Sequence, residues 1–395
     1  MAILGRTLIL VRVISLFLTM LDLFVVTGCG SSHSALTHDL STTSSSQSID
    51  AGNFCTTAGT LDDSCVTNAI HACPQSGTCS VSLSAGEYTF SNPVVLSRAG
   101  VVISCAGVNS ATITVPGNYS AFIANTNTII RNCHFVGDNS LITPHNHAID
   151  SGGTGGIPIT GVQILSNDIE RFDVGINTGL NTAHWTISGN TIHDNVYEGM
   201  LLGANTYGLA GDTQCAAEDN CGKHSIINNI IFGNGRNGID VNSSFNDIED
   251  NTVYQNGGTG PVGSDRNGIL LYSVSGVGSV DHNVVHSNTI YSNNTDGLQL
   301  GGGVGGSVSF NEITNNNIYS NGNDGLHVVS GGGQVSGNTV NSNQVTLNTK
   351  FGILLDAYNS GELNNTMITN NLIKNNTAGN ILVLGATGTV VKGNN

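Results

Sequence analysis

Cations are what this chain has least of. Among 395 residues there are 11 Lys and Arg against 27 Asp and Glu, a net charge of −16. So few cations cannot offset a run of phosphates, which excludes nucleic acid as a partner. The acidity suits solubility, or local binding of a cation such as Ca²⁺. Charged residues of both signs make up only 10%, and the periodic Leu, Ala and Glu of a helical protein are missing. Beyond the N-terminus no stretch is apolar and long enough to span a membrane. No C-x2-C pair occurs and no His stands at a useful offset from a Cys, which argues against zinc. What is present is 52 Gly, abundant Asn, and Val, Ile and Leu recurring along the whole length. A disordered chain lacks that recurrence.

Residues 1–28 read as a signal peptide, with Arg6 and Arg12 before an apolar stretch interrupted by Asp22. Val26-Thr27-Gly28-Cys29 resembles the bacterial lipobox, which implies acylation of Cys29. Gly30 beside it resembles the pattern of outer-membrane retention. Residues 29–50 are Ser/Thr-rich and read as a tether. The expectation is an exported lipoprotein on the periplasmic or surface face of the outer membrane, meeting the membrane only through its lipid. Eight cysteines remain for an oxidising compartment. Cys73 and Cys79 bracket a short Pro/Gly turn and Cys215 and Cys221 bracket a loop, so both are disulfide candidates. The partners of Cys55 and Cys65 stay open.

An internal repeat decides the fold. The pattern Asn-x-apolar-x-x-Asn, then Gly-apolar-x-apolar, recurs from Asn190, Asn229, Asn288, Asn316 and Asn343, with looser copies from Asn251 and Asn371. From Asn167 onward the first Asn residues are 23, 39, 22, 37, 28, 27 and 28 apart. A period of 22–28 residues fits one coil of a three-sided parallel β-helix, with apolar-x-apolar as a short strand showing one face inward. Gly and Asn are expected to supply left-handed turns between the sides. The two long intervals carry insertions, at about 203–224 and at 257–265 with 273–280. Loops a regular coil does not need point to function. Cys105 and Cys133 lie one coil apart and could bond.

Ahead of the repeat, Thr60-Leu61-Asp62 reads as a helix start, with Val66, Ala69, Ile70 and Cys73 at helical spacing. The stretch Asp62-Asp63…Ala69-Ile70…Ala72-Cys73-Pro74…Leu83-Ser84-Ala85-Gly86-Glu87-Tyr88 resembles the entry cap of the pectate-lyase-like superfamily, and the later copies resemble its β-helix repeat. The resemblance implies an all-β, right-handed parallel β-helix with a short capping helix. Residues 51–100 would form the cap and first strands and residues 101–395 the helix. It also implies a polysaccharide as partner. The superfamily's lyases, epimerases, hydrolases and non-catalytic surface proteins leave the reaction open. Asn294-Thr295-Asp296-Gly297 resembles the NTDG of polygalacturonases, but their paired-Asp and GHG motifs do not follow. Thr143-Pro144-His145-Asn146 resembles the DPHD-like motif of alginate epimerases without its acids.

Aligning coils on the repeat Gly stacks candidate residues on one face. Arg236 and Arg266 fall in one column, Asp296 and Asp324 in the next. Asp240 and His327 fall two residues after Gly, and Tyr272 four after. For uronate β-elimination or epimerisation, Arg236 and Arg266 could neutralise a carboxylate while Asp240, Tyr272 or His327 move protons. An exposed salt-bridge ladder with Asp240 is the rival reading. Asp296 and Asp324, with Lys223 and His224 after the first insertion, are substrate-binding candidates. So is an aromatic stripe containing Tyr254, Tyr291 and Tyr319, unless its rings stack on one another. Asp212, Glu218 and Asp219 could hold Ca²⁺. The leading expectation is a lyase or epimerase acting on acidic glycan. A non-catalytic glycan-binding β-helix is the alternative, and a glycoside hydrolase the lesser one.

Overall fold

The computed structural model describes residues 47–140, 146–152, 158–203, 222–258, 265–275 and 278–395. The signal peptide, Cys29 and most of the tether lie outside the described residues, as do Asp212, Cys215, Glu218, Asp219 and Cys221. Each coil contributes one strand to each of three long sheets. The first sheet runs through thirteen strands from Gln47–Asp50 to Val390–Lys392. The second has eleven, from Gly86–Thr89 to Leu372–Lys374, and the third eleven, from Val94–Val95 to Gly379–Leu384. Neighbouring coils pair in parallel and in register, as with Ile187↔Ile226, Ile192↔Ile231 and Met200↔Ile239. This is a parallel β-helix. The first strand, Gln47–Asp50, already pairs with Cys79–Leu83, so the coils begin inside the segment read as tether.

Inward residues repeat because each must stack on its equivalent in the next coil. In the second sheet Ile192, Ile231, Val253, Ile290, Ile318, Val345 and Ile373 form one such file. Burying one of these side chains stabilises the fold by about 1.5–3 kcal/mol. Ile290 is fully buried, whereas Thr289 beside it faces outward. Ile290→Asp should therefore cost about 4–5 kcal/mol in a urea titration, and Thr289→Asp less than about 1 kcal/mol. Equal costs would mean the register is misread.

Asparagine ladders hold the corners. In one of them Asn190, Asn229, Asn251 and Asn288 each use Oδ1 to accept both the backbone N–H and Nδ2 of the Asn one coil earlier or are bonded likewise in turn. The Nδ2 atoms also donate to carbonyls of the preceding coil, as Asn229 does to Ile187. A second ladder runs through Asn195, Asn234, Asn256, Asn293, Asn321, Asn348 and Asn376. The left-handed turn belongs to the residue before a ladder Asn, such as Asn228, Asp250 or Ser287. The repeat Gly was expected to share that role and does not. It is needed for close approach: a Cβ on Gly238 would lie 2.7 Å from the Gly268 carbonyl oxygen and 2.9 Å from Asn256 Nδ2.

At the entry end, helix Asp63–His71 starts on Asp62, whose carboxylate accepts from the N–H groups of Ser64 and Cys65. It buries Cys65, Val66, Ala69 and Ile70 over the first coil, close to the spacing read from the sequence. Disulfides join Cys55 to Cys65, Cys73 to Cys79 and Cys105 to Cys133. Three such bonds fit an extracytoplasmic protein. No helix among the described residues is long and apolar enough to cross a membrane.

Candidate active site

The third sheet presents the candidate residues. Its outward register aligns Leu201, Asp240, Leu270, Gln299, His327 and Leu354 across successive coils. The position before each repeat Gly forms a further ladder. Asn237 Oδ1 accepts the Asn267 N–H at 2.9 Å, Asn267 Oδ1 that of Asp296 at 3.1 Å, and Asp296 Oδ1 that of Asp324 at 3.0 Å. Asp324 Oδ1 accepts the Phe351 N–H at 2.7 Å. Asn performs this backbone task in two coils, so the charge of Asp296 and Asp324 is not required by the fold.

That charge faces a cleft of about 380 Å³ lined by Asp265, Asp296, Asp324, His327, Lys350 and Asp356, among others. Asp296 Oδ2 lies 3.1 Å from His327 Nδ1. Nδ1 is thereby assigned the proton, which leaves Nε2 as the lone-pair nitrogen. Nε2 has no hydrogen-bond partner and is closed to water in this conformation. Burial raises the Asp324 carboxyl above its ordinary range, and the neighbouring Asp296 adds to this against the Phe351 N–H and His327. Ligand atoms of Asp296, Asp324 and His327 lie within 4.8 Å of one another and could hold a divalent cation. One imidazole with two carboxylates suits a transition ion better than calcium, which takes oxygen donors.

Arg236 and Arg266 do occupy equivalent places in adjacent coils, as the Gly238-to-Asn267 backbone bond fixes. Arg236, however, reaches back one coil, with Nη1 3.0 Å from Glu198 Oε1. The counter-charge expected from Asp240 thus comes from Glu198, itself only 3% exposed. Glu198 stands one residue before the repeat Gly199, in the column of Asp296 and Asp324. Asp240 Oδ2 accepts from Asn237 Nδ2 at 3.2 Å and its Oδ1 from Asn242 Nδ2 at 2.6 Å. Burial first, then the charge of Glu198, push the Asp240 carboxyl up to about 8 against the pull of Arg236. Its ordinary value is about 3.9. A raised acid contributes stability that is present below about pH 4 and lost as pH rises through about 8. Asp240→Asn should remove that loss: wild type and variant should have similar urea midpoints near pH 4, the variant the higher one at pH 8. A variant whose midpoint falls with pH as steeply as the wild type's would contradict this.

Asp240 and His327 are three coils apart in register, about 14 Å at ~4.8 Å per coil. They cannot act on one sugar ring. The cleft around His327 and the cluster around Arg236 are therefore separate centres along one face. Tyr272 lies between them, its phenol kept above its usual range mainly by burial.

Other candidates lie elsewhere. Lys223 and His224 sit at the corner leading into the first sheet. His224 is 1% exposed and accepts the Trp185 N–H on Nδ1, a place filled by Asn246, Asn283, Asn311 and Asn338 in later coils. Burial pushes it down to about 3, so it serves the corner as a neutral ring. Tyr254, Tyr291 and Tyr319 stand on the second sheet and stack face to face with His193 and Phe232, centroids 4.8–5.0 Å apart. Their ring faces are occupied by one another. On the first sheet His286 pairs with Asp247 at 3.0 Å.

The family model for the right handed beta helix region matches residues 213–361. No curated protein sequence matches the chain. Among solved structures, the A-module of a mannuronan C-5 epimerase of Azotobacter vinelandii superposes with a TM-score of 0.63 at 18% identity, covering 87% of this chain and 96% of that one. A periplasmic alginate epimerase gives 0.52 at 13% identity, over 88% and 74%. The catalytic domain of a GH87 alpha-1,3-glucanase in complex with nigerose gives 0.56 at 15% identity, over 93% and 71%. At such identities the likeness speaks for the fold, a right-handed parallel β-helix.

Proposed function

We propose that the cleft at Asp296, Asp324 and His327 is the active site of a polysaccharide-modifying enzyme, with uronate glycan as its substrate class. The observation that carries this is the Asp296–His327 pair: a carboxylate orients an imidazole whose second nitrogen is unpartnered, beside an Asp324 carboxyl that burial shifts upward. His327 Nε2, covered in this conformation and uncovered as the glycan enters, would take the proton at C5 of the uronate. Asp324 would give one to the leaving oxygen in elimination, or to the opposite face in epimerisation. Lys350 at the cleft would stabilise the carboxylate as charge moves onto it. Two of the structural neighbours, named as mannuronan and alginate epimerases, support this substrate class.

Hydrolysis is the second reading. It is favoured by the closeness of the Asp296 and Asp324 carboxylates, which within 4.8 Å approach the spacing of a retaining glycosidase pair. Incubation with alginate, polygalacturonate and α-1,3-glucan separates the readings. Elimination yields an unsaturated ultraviolet-absorbing end, epimerisation a changed uronate composition without cleavage, and hydrolysis reducing ends alone. Either of the first two on a polyuronate is the expected result. Reducing ends alone would transfer the assignment to hydrolysis, and binding without any product would make this a glycan-binding surface.

A further inference from the structure

Two tyrosines on the third sheet are placed unlike those on the second. Beyond Gln299 and His327 the outward positions of Leu298–Gly303 and Leu326–Gly331 are Gly301, Gly303, Val329 and Gly331, so this floor carries a single side chain, that of Val329. Tyr272 lies down along the first strand. A Cβ on Gly301 would fall 2.9 Å from its Cδ2, and one on Gly303 2.5 Å from its Oη. The two glycines are two residues apart on one strand and face the same way, so the ring extends along the sheet surface. Tyr358, from a later coil, lies over Gly331 in the same manner, with a Cβ there 3.0 Å from Oη and 3.2 Å from Cζ. In the second-sheet ladder each ring covers its neighbour's face. Here each ring lies against glycine backbone, and Tyr358 is 49% exposed.

The platform is continuous with the cleft. Asp356, which lines the cleft, is two residues before Tyr358 on the same run of chain. Gln299, also a lining residue, would have its Nε2 3.6 Å from a Cβ on Gly301. We propose that Tyr272 and Tyr358, lying on the Gly301–Gly303 and Gly331 floor, form a stacking subsite for a pyranose ring of the glycan whose neighbouring unit occupies the cleft. The inference rests on the polysaccharide reading above and adds the place where the chain is gripped. Any side chain at the glycines would lift the rings, which accounts for their absence there. The flat apolar face of a sugar matches an aromatic face, while its hydroxyls remain in water.

The test uses the described protein and three probes: hexasaccharides of alginate, polygalacturonate and α-1,3-glucan, titrated by calorimetry. Whichever binds the parent should bind Tyr358→Ala about 5–10-fold more weakly, in line with one aromatic contact of roughly 1–1.4 kcal/mol. Tyr358→Phe should stay within about two-fold. Gly301→Ala, which keeps both tyrosines but displaces one, should also weaken binding. Unchanged affinity in both alanine variants overturns the subsite, and so does failure of all three probes to bind the parent. If the tyrosines govern affinity but Asp296→Asn turns over normally, the reaction assignment fails and the subsite stands. If affinity ignores the tyrosines while Asp296→Asn is inactive, the reverse holds.

Discussion

Asp296→Asn should leave the fold intact and lower turnover of the glycan substrate by about 10²–10⁴-fold. An amide at this position can still accept the Asp324 N–H, because Asn267 makes the equivalent bond one coil earlier. What the amide cannot do is hold a proton on His327 Nδ1. Facing an N–H₂ group, Nδ1 becomes the acceptor, and Nε2 carries the hydrogen and loses its basicity. Initial rates and thermal midpoints of one preparation decide it. A normal rate, or a variant that fails to fold, would each count against the assignment. His327→Ala should lose activity to a similar degree, since the two side chains act as one unit.

Among the candidate site residues, the largest expected change in stability belongs to Arg236→Gln. Its guanidinium is the counter-charge of Glu198, which is nearly inaccessible to water. Removing one member of a buried pair typically costs about 3–5 kcal/mol, because the other charge is left without compensation. Glu198 can escape by taking a proton, toward which burial already inclines it. The deficit should therefore be larger at pH 8 than at pH 5. The double variant Glu198→Gln/Arg236→Gln should recover most of it, as measured by urea midpoints. Had Arg236 served chiefly to receive an external carboxylate, the single substitution would weaken polyuronate binding with little change in stability.

The coil pitch and the outward columns were legible because stacking enforces them: a residue in one coil must lie beside its equivalent in the next. Asp240, Leu270, Gln299 and His327 align as the repeat Gly predicts. The aromatic stripe was legible as a stripe, and its two possible uses were separable only once the rings were seen face to face. Partner choice between coils was not legible. Arg236 leans back to Glu198 instead of along its own coil to Asp240, a matter of side-chain direction that a column cannot express. His224 read as a substrate-binding candidate because nothing in sequence marks it as a stand-in for a ladder Asn. The NTDG likeness at Asp296 contained two facts at once. One carboxylate oxygen does the repeat's backbone work, and the other faces His327. Tyr272 was legible as a candidate proton carrier, but the placement of Tyr272 and Tyr358 was not, because it depends on glycines in other coils.

The most direct measurement is a crystal structure of Asp296→Asn soaked with a hexasaccharide of the substrate glycan. The glycan should lie across successive coils of the third sheet, with one ring within hydrogen-bond reach of His327 Nε2 and Asp324. A glycan seated on the edges of Tyr254, Tyr291 and Tyr319, or beside Asp247 and His286 on the first sheet, would contradict the account.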